Sequence, residues 1–236
     1  MKAMLLAAGL GTRLAPFTHH HPKALARVGD TSLLEWNIRY LQRFGIRDVI
    51  VNVHHFAGQI EDAVGSHKGW GSDVRISDER DEVLETGGGL LRAAPFFADE
   101  DCFLVMNVDV LTDLNLHELI DAHAAQKPLA TLAVMRRASS RYLLFDEDLR
   151  LCGWRNEKSR AQRGSAGEAF AFSGIQVVSQ ALLQGNSRSG KFSVIDLYLD
   201  ALESGGIIRG FDHSEGKFLD AGKPETLARA QTLFAG

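Results

Sequence analysis

The chain has 236 residues, 45% apolar and 24% charged, a globular balance that excludes disordered, collagen-like and coiled-coil chains. Its net charge of −4 invites neither nucleic acid nor an anionic membrane, and no apolar run approaches the roughly 18 residues of a membrane span. The length suits one domain, with halves at 1–136 and 137–236.

In chain order, short apolar runs predict strands at 3–8, 47–53, 73–77, 102–107 and 130–136. After the first, Ser32-x-x-Glu35 is a capping box that opens an apolar-periodic helix (Leu33, Leu34, Ile38, Leu41, Phe44) stopped by Gly45. Asn115-x-x-Glu118 opens another helix, running to about Gln126. Pro224 sits in the first turn of a last one, where its missing N–H costs nothing. This alternation is the signature of βαβ units, so the fold class is α/β: a Rossmann-like, mainly parallel but mixed sheet sandwiched by helices. Beyond 137 the pattern breaks into strand-like pieces at 141–146, 149–154, 169–178 and 206–211 around the polar stretch Asn156 to Gly167. That part reads as an insertion or lid on the sheet. Cys102 and Cys152 form no C-x-x-C, and the apolar start is at the short limit for a signal peptide with no small-residue cleavage site, so a reduced, cytoplasmic chain is expected.

The first strand runs into Gly9-Leu10-Gly11-Thr12-Arg13-Leu14, with Pro16, Thr18 and Pro22-Lys23 beyond. Glycines there let backbone N–H groups approach an anion, which makes the loop a candidate phosphate cradle; a plain glycine turn is the alternative. A dinucleotide fingerprint needs a third Gly where Leu14 stands, and the two prolines break the helix it requires. Gly185 to Lys191 matches G-x-x-x-x-G-K, but Phe192 replaces the Mg²⁺-binding hydroxyl and no apolar strand precedes it. Asp109 and Asp220 each follow an apolar run, where they either hold one Mg²⁺ together or simply cap turns. If they cluster, like-charge repulsion is expected between them. Three consecutive glycines, Gly87 to Gly89, imply close approach by a planar ligand or by backbone, with a flexible hinge as the alternative. His19 to His21 and His54-His55 lack metal-ligand spacing and are taken as solvated or supporting groups.

L-A-A-G-x-G-T-R-L, P-x-T, P-K-A-L and the capped helix, spanning 6–44, resemble the sugar-1-phosphate nucleotidyltransferases, and N-V-D-V at 107–110 and F-L-D-A-G at 218–222 stand where that family keeps its metal-binding aspartates. The resemblance implies a glycosyltransferase-A-like fold, a nucleoside triphosphate and a sugar 1-phosphate as partners, Mg²⁺ as cofactor, and a monomer or small homo-oligomer. Ala8, Gly9, Gly11, Thr12, Arg13, Lys23, Glu85, Gly87, Gly88 and Asn107 are then the nucleotide-binding residues, with Arg13 and Lys23 catalytic. Asp109 and Asp220 hold the metal; Leu143 and the E-K pair Glu157-Lys158 are the candidates at the sugar phosphate, with Glu168 a rival to the pair's acid. L-E-T-G-G-G at 84–89 and F-S-G-I at 172–175 resemble the branch that uridylylates N-acetylmuramate 1-phosphate. Guanylyl or thymidylyl transfer to mannose, heptose or glucose 1-phosphate, cytidylyl transfer to an alcohol phosphate, and a non-catalytic nucleotide-sugar sensor stay open. Two departures bear on the site: Val108 stands where the metal motif usually has Gly, and Leu143 where many relatives have Gly. The chain is expected to lack the β-helix acetyltransferase domain of bifunctional relatives. A sugar phosphate, with a second pKa near 6, is already an anionic nucleophile at neutral pH. No Ser-His-Asp or Cys-His set is therefore required.

Overall fold

Strand β1 (Ala3–Leu6) is apolar at every position because both of its faces are covered: Ala3 and Leu5 enter one core, Met4 and Leu6 the other. The computed structural model describes residues 1–184 and 186–234. A short hairpin, β2 (Arg27–Val28) and β3 (Thr31–Ser32), leads into α1 (Leu33–Arg43). The Ser32 hydroxyl accepts from Glu35 N at 3.2 Å, as the capping box predicts, while the Glu35 carboxylate turns to Arg39 Nε at 2.7 Å. There follow β4 (Asp48–Val53), α2 (Ala57–Ser66), β5 (Asp73–Asp78), α3 (Glu85–Ala93), β6 (Cys102–Asn107), β7 (Val110–Thr112), α4 (Leu116–Gln126) and β8 (Ala130–Met135). The second half supplies β9 (Arg141–Phe145), β10 (Leu151–Asn156), β11 (Ala161–Gly164), β12 (Glu168–Ser179), α5 (Val194–Glu203), β13 (Ile208–Asp212), β14 (Phe218–Asp220) and α6 (Pro224–Phe234).

Ten strands form one mixed sheet in the order β11-β10-β9-β12-β6-β1-β4-β5, with β8 paired to β12 and β13 to β8. The run β6-β1-β4-β5 is parallel, and β12 joins it antiparallel to β6. A register shift between Phe172 and Gln176 lets β12 serve β9 with its first residues and β6 with its last. Leu6 lies opposite both Asn107 and Asn52, so the carboxyl ends of β1, β4 and β6 are level. Ligands of open α/β sheets bind at that edge.

The stretch read as an insertion or lid instead continues the sheet: β9, β10 and β11 extend it from β12, and β11 lies within the supposed polar interruption. β11 is an edge strand with exposed side chains, pinned by Arg163 to Asp196, Asp200 and Glu203 of α5, so its composition reads as loop. A third, smaller cluster of Leu14, Leu33, Leu111, Leu219, Ala221 and Ala230 ties the loop after β1 to the β7–β14 pair and α6. Gly185, the first residue of the G-x-x-x-x-G-K match, lies outside the described residues. No helix among the described residues is long and apolar enough to cross a membrane.

Candidate active site

The third cluster brings distant charges together. By anchoring Leu14 against Leu219 and Ala221, it delivers Arg13 to the end of β14, where its Nη1 lies 3.3 Å from Asp220 Oδ2. Asp220 pairs with Val110 in the β7–β14 ladder, and Ala221 N donates to Asp109 O at 2.8 Å, so the two aspartates stand side by side. Arg13 Nη2 is 4.0 Å from Asp109 Oδ2, and the nearly buried Lys23 Nζ is 2.8 Å from that same oxygen. The repulsion expected between the two carboxylates is thus offset, since each already has a cationic partner. Gly222 makes the meeting possible: a Cβ there would stand 2.6 Å from Arg13 Nη2 and 2.7 Å from Asp220 Oδ1.

The glycine loop packs onto the same lysine. Gly11 has φ +62°, a left-handed conformation, and a Cβ there would be 2.8 Å from Lys23 Cβ. Among the described residues, the N–H groups of Gly9, Leu10 and Gly11 donate to no acceptor, leaving three consecutive donors beside Arg13 and Lys23. Thr12 opens the short turn that carries Arg13. The loop's base is held from below, where Asn52 Oδ1 accepts Ala7 N at 2.6 Å and Ala8 N at 3.4 Å, and Asn52 Nδ2 donates to Glu79 Oε1 at 2.8 Å. Glu79 is fully buried, its Oε2 has no partner, and burial pushes its carboxyl above the usual glutamate range.

Asn107 ends β6 against Gly174, and the peptide after it is fixed by α1: the buried Asn37 donates from Nδ2 to Val108 O at 2.8 Å. Val108 is fully buried, so its side chain fills core and not the site. Gly87 to Gly89 lie inside α3, and what approaches them differs: the Phe192 ring covers Gly87, backbone covers Gly88, and the Glu79 and Asn52 side chains cover Gly89. Phe192 O accepts from Gly87 N at 2.9 Å and Gly88 N at 3.4 Å, and Gly190 O covers Gly88. Glu85 sits at the start of α3 with Lys191 Nζ 3.6 Å away.

In the second half, the buried Leu143 lines a cavity of about 210 Å³ with Ser139, Arg141, Tyr142, Trp154, Phe172 and Ile195. The two rival acids lie at opposite ends of β9. Glu157 is near Ser140 but its carboxylate is taken by Arg155 Nε at 2.8 Å. Glu168 pairs with Arg136 Nε at 3.0 Å, beside Phe145 and Asp146, away from the cavity. Sequence reasoning missed Asn37, Asn52 and Glu79. Asn37 had a signal, as the polar residue inside an otherwise apolar helical stripe.

Over 115 residues the chain is 40% identical to N-acetylmuramate alpha-1-phosphate uridylyltransferase of Neisseria meningitidis, covering 49% of each chain. The matched stretch thus spans about half the length of that relative. A D-glycero-alpha-D-manno-heptose 1-phosphate guanylyltransferase of Aneurinibacillus thermoaerophilus is 27% identical over 98% of this chain and 97% of its own. In structure, HddC of Yersinia pseudotuberculosis superposes with a TM-score of 0.80 at 24% identity, covering 99% of both chains, which shows a shared fold. With the profile of the Nucleotidyl transferase family matching residues 2–143, which contain the glycine loop, Lys23 and Asp109, the chain belongs to the nucleotidyl transferase family.

Proposed function

We propose that this protein condenses a nucleoside triphosphate with a sugar 1-phosphate to give a nucleotide sugar and pyrophosphate, with Mg²⁺, and that UTP and N-acetylmuramate 1-phosphate are its preferred pair. The observation that carries the reading is the meeting of Asp109, Asp220, Arg13 and Lys23 beside three free loop N–H groups at the carboxyl end of β1. Mg²⁺ takes one or two carboxylates and fills its octahedron with phosphate oxygens and water. Asp109 and Asp220 fit that demand, and among the described residues no third acid or imidazole completes a protein-only cage. A cation held there would neutralise charge on the triphosphate and draw its α-phosphate toward attack.

The chain's own residues supply the rest. The N–H groups of Gly9, Leu10 and Gly11 orient phosphate oxygens, while Arg13 and Lys23 cancel the charge that otherwise keeps two anions apart. The acceptor phosphate needs no base, so catalysis is alignment and electrostatics. The identity to the Neisseria uridylyltransferase supports the preferred pair. Similarity along almost the full length to the heptose guanylyltransferase favours a second reading, guanylyl transfer to a heptose 1-phosphate. A grid of pyrophosphate release, four nucleoside triphosphates against a panel of sugar 1-phosphates, tests both. The highest rate with UTP and N-acetylmuramate 1-phosphate is expected; a tenfold better specificity constant for GTP with a heptose 1-phosphate selects the second reading, and no release from any pair overturns both.

A further inference from the structure

Two adjacent arginines at the end of β8 have opposite surroundings. Arg136 bonds Glu168 and Asp212. Arg137 has no carboxylate within ion-pair distance among the described residues, although it is more buried. Its Nη2 donates to Phe172 O at 2.8 Å, its guanidinium carbon lies 4.5 Å from the centre of the Phe218 ring, and its Nε is buried without a partner. Arginine does not lose its proton in proteins, so a half-buried guanidinium with one carbonyl for five donors is under-satisfied. Cation–π contact with Phe218 orients it but leaves the fork of donors unused.

The location says what the fork is for. Phe218 precedes Asp220 by two residues on β14, so both side chains project from one face of the strand. Phe172, whose carbonyl Arg137 holds, lines the cavity of Tyr142, Leu143 and Trp154. Arg137 therefore stands between the aspartate of the cation site and the cavity, beyond the alternating charges of Lys23, Asp109, Arg13 and Asp220. Burial pushes the guanidinium below its ordinary range, opposed by the charge of Asp220.

We propose that Arg137 grips the C1 phosphate of the acceptor sugar through its guanidinium fork, with the sugar ring in the Tyr142–Trp154 cavity. A planar fork matches two phosphate oxygens, and the acceptor phosphate must lie next to Asp220 if the cation and the α-phosphate meet there. This rests on the sugar-phosphate reading above and supplies a cationic contact for the acceptor, which the carboxylates of Glu157 and Glu168, anionic like the phosphate, do not.

The test measures steady-state kinetics and calorimetric binding for wild type, Arg137→Gln and Arg137→Lys. The acceptors are N-acetylmuramate 1-phosphate, N-acetylglucosamine 1-phosphate and glucose 1-phosphate, with melting curves run in parallel. Arg137→Gln is expected to raise KM and Kd for every acceptor by about 10- to 100-fold. The KM for the nucleoside triphosphate should stay within about twofold, and melting in the absence of ligand should be unchanged or raised, because an unpaired buried charge is removed. Arg137→Lys should recover part of the loss, keeping the charge but not the fork. Equal acceptor constants for wild type and Arg137→Gln would overturn the proposal, as would a loss confined to the muramate, since that would assign Arg137 to its lactyl carboxylate. A lowered melting point with unaltered acceptor constants would make Arg137 structural and overturn it too. If wild type binds sugar 1-phosphates in an Arg137-dependent way but releases no pyrophosphate, the enzymatic reading falls and the phosphate grip stands.

Discussion

Asn37 Nδ2 and the carbonyl oxygen of Val108 are 2.8 Å apart, so helix α1 holds the peptide that immediately precedes Asp109. Asn37 also donates to Leu33 O, one turn back in its own helix, and is 1% exposed. Replacing it with Leu keeps the branched shape but strands a buried carbonyl, a loss of about 1–3 kcal/mol. Beyond that stability effect, Asn37→Leu should raise the Mg²⁺ concentration giving half-maximal turnover several-fold. An Asn37→Leu protein that melts lower yet keeps its Mg²⁺ titration would reduce Asn37 to a helix anchor.

Gly222 offers a sharper separation of chemistry from stability. Its φ is not in the left-handed region, so Ala is acceptable to the backbone, but the added Cβ meets Arg13 and Asp220. Gly222→Ala should therefore displace the Arg13 guanidinium and cut turnover on the order of 10- to 100-fold, with melting little changed, because small misplacements of a charge partner are costly. Turnover within about twofold of wild type would mean that Arg13 does not act from this position.

The Glu79 carboxyl gives a pH signature. Its pKa is raised by burial above the ordinary 4.5, with Asn52 Nδ2 and nearby cations opposing. The folded chain therefore binds this proton more tightly than the unfolded chain. The stability it brings is complete below the ordinary value and fades as pH rises through the raised one. Glu79→Gln keeps an oxygen for Asn52 Nδ2 and cannot ionise, so it should melt higher than wild type at about pH 9, with the gap narrowing toward about pH 5. Melting curves across that range check this; a gap that widens on acidification would mean the carboxylate is favoured in the fold.

Much of the framework is legible in the sequence because its causes are local. Met4 and Leu6 alternate with Ala3 and Leu5 in a doubly covered strand, and Ser32 and Asn115 cap the helices they precede. Asp109 and Asp220 are legible as candidates, but their meeting depends on the three-residue strands β7 and β14, too short for alternation to register. Glu157 and Glu168 are ambiguous in a sequence with no fixed alignment; only the register of β9 shows that they occupy its opposite ends. Arg137 is hidden for another reason. In the run R-R-A-S-S-R nothing local distinguishes it from Arg136, and the difference is the presence of Glu168 and Asp212 beside one of them.

Lys23 is nearly buried, and its only carboxylate neighbour among the described ion pairs is Asp109. Lys23→Ala should lower turnover by a factor of order 10² to 10³, as for loss of one preorganised partner of transition-state charge. It should also destabilise the fold, because Asp109 is left buried without its nearest cation. Kinetics at saturating substrate check the first effect, and a loss under about threefold would assign Lys23 to structure alone.

Asp109 and Asp220 are expected to act as one unit at one cation. A double-mutant cycle on turnover, with Asp109→Asn, Asp220→Asn and both together, measures it most directly. Each single change should cut turnover steeply, and the pair should be little worse than the more damaging single, because either loss already dismantles the shared site. Rate losses that multiply, with a Mg²⁺ requirement untouched by either substitution, would contradict the account and leave two aspartates that merely shape turns.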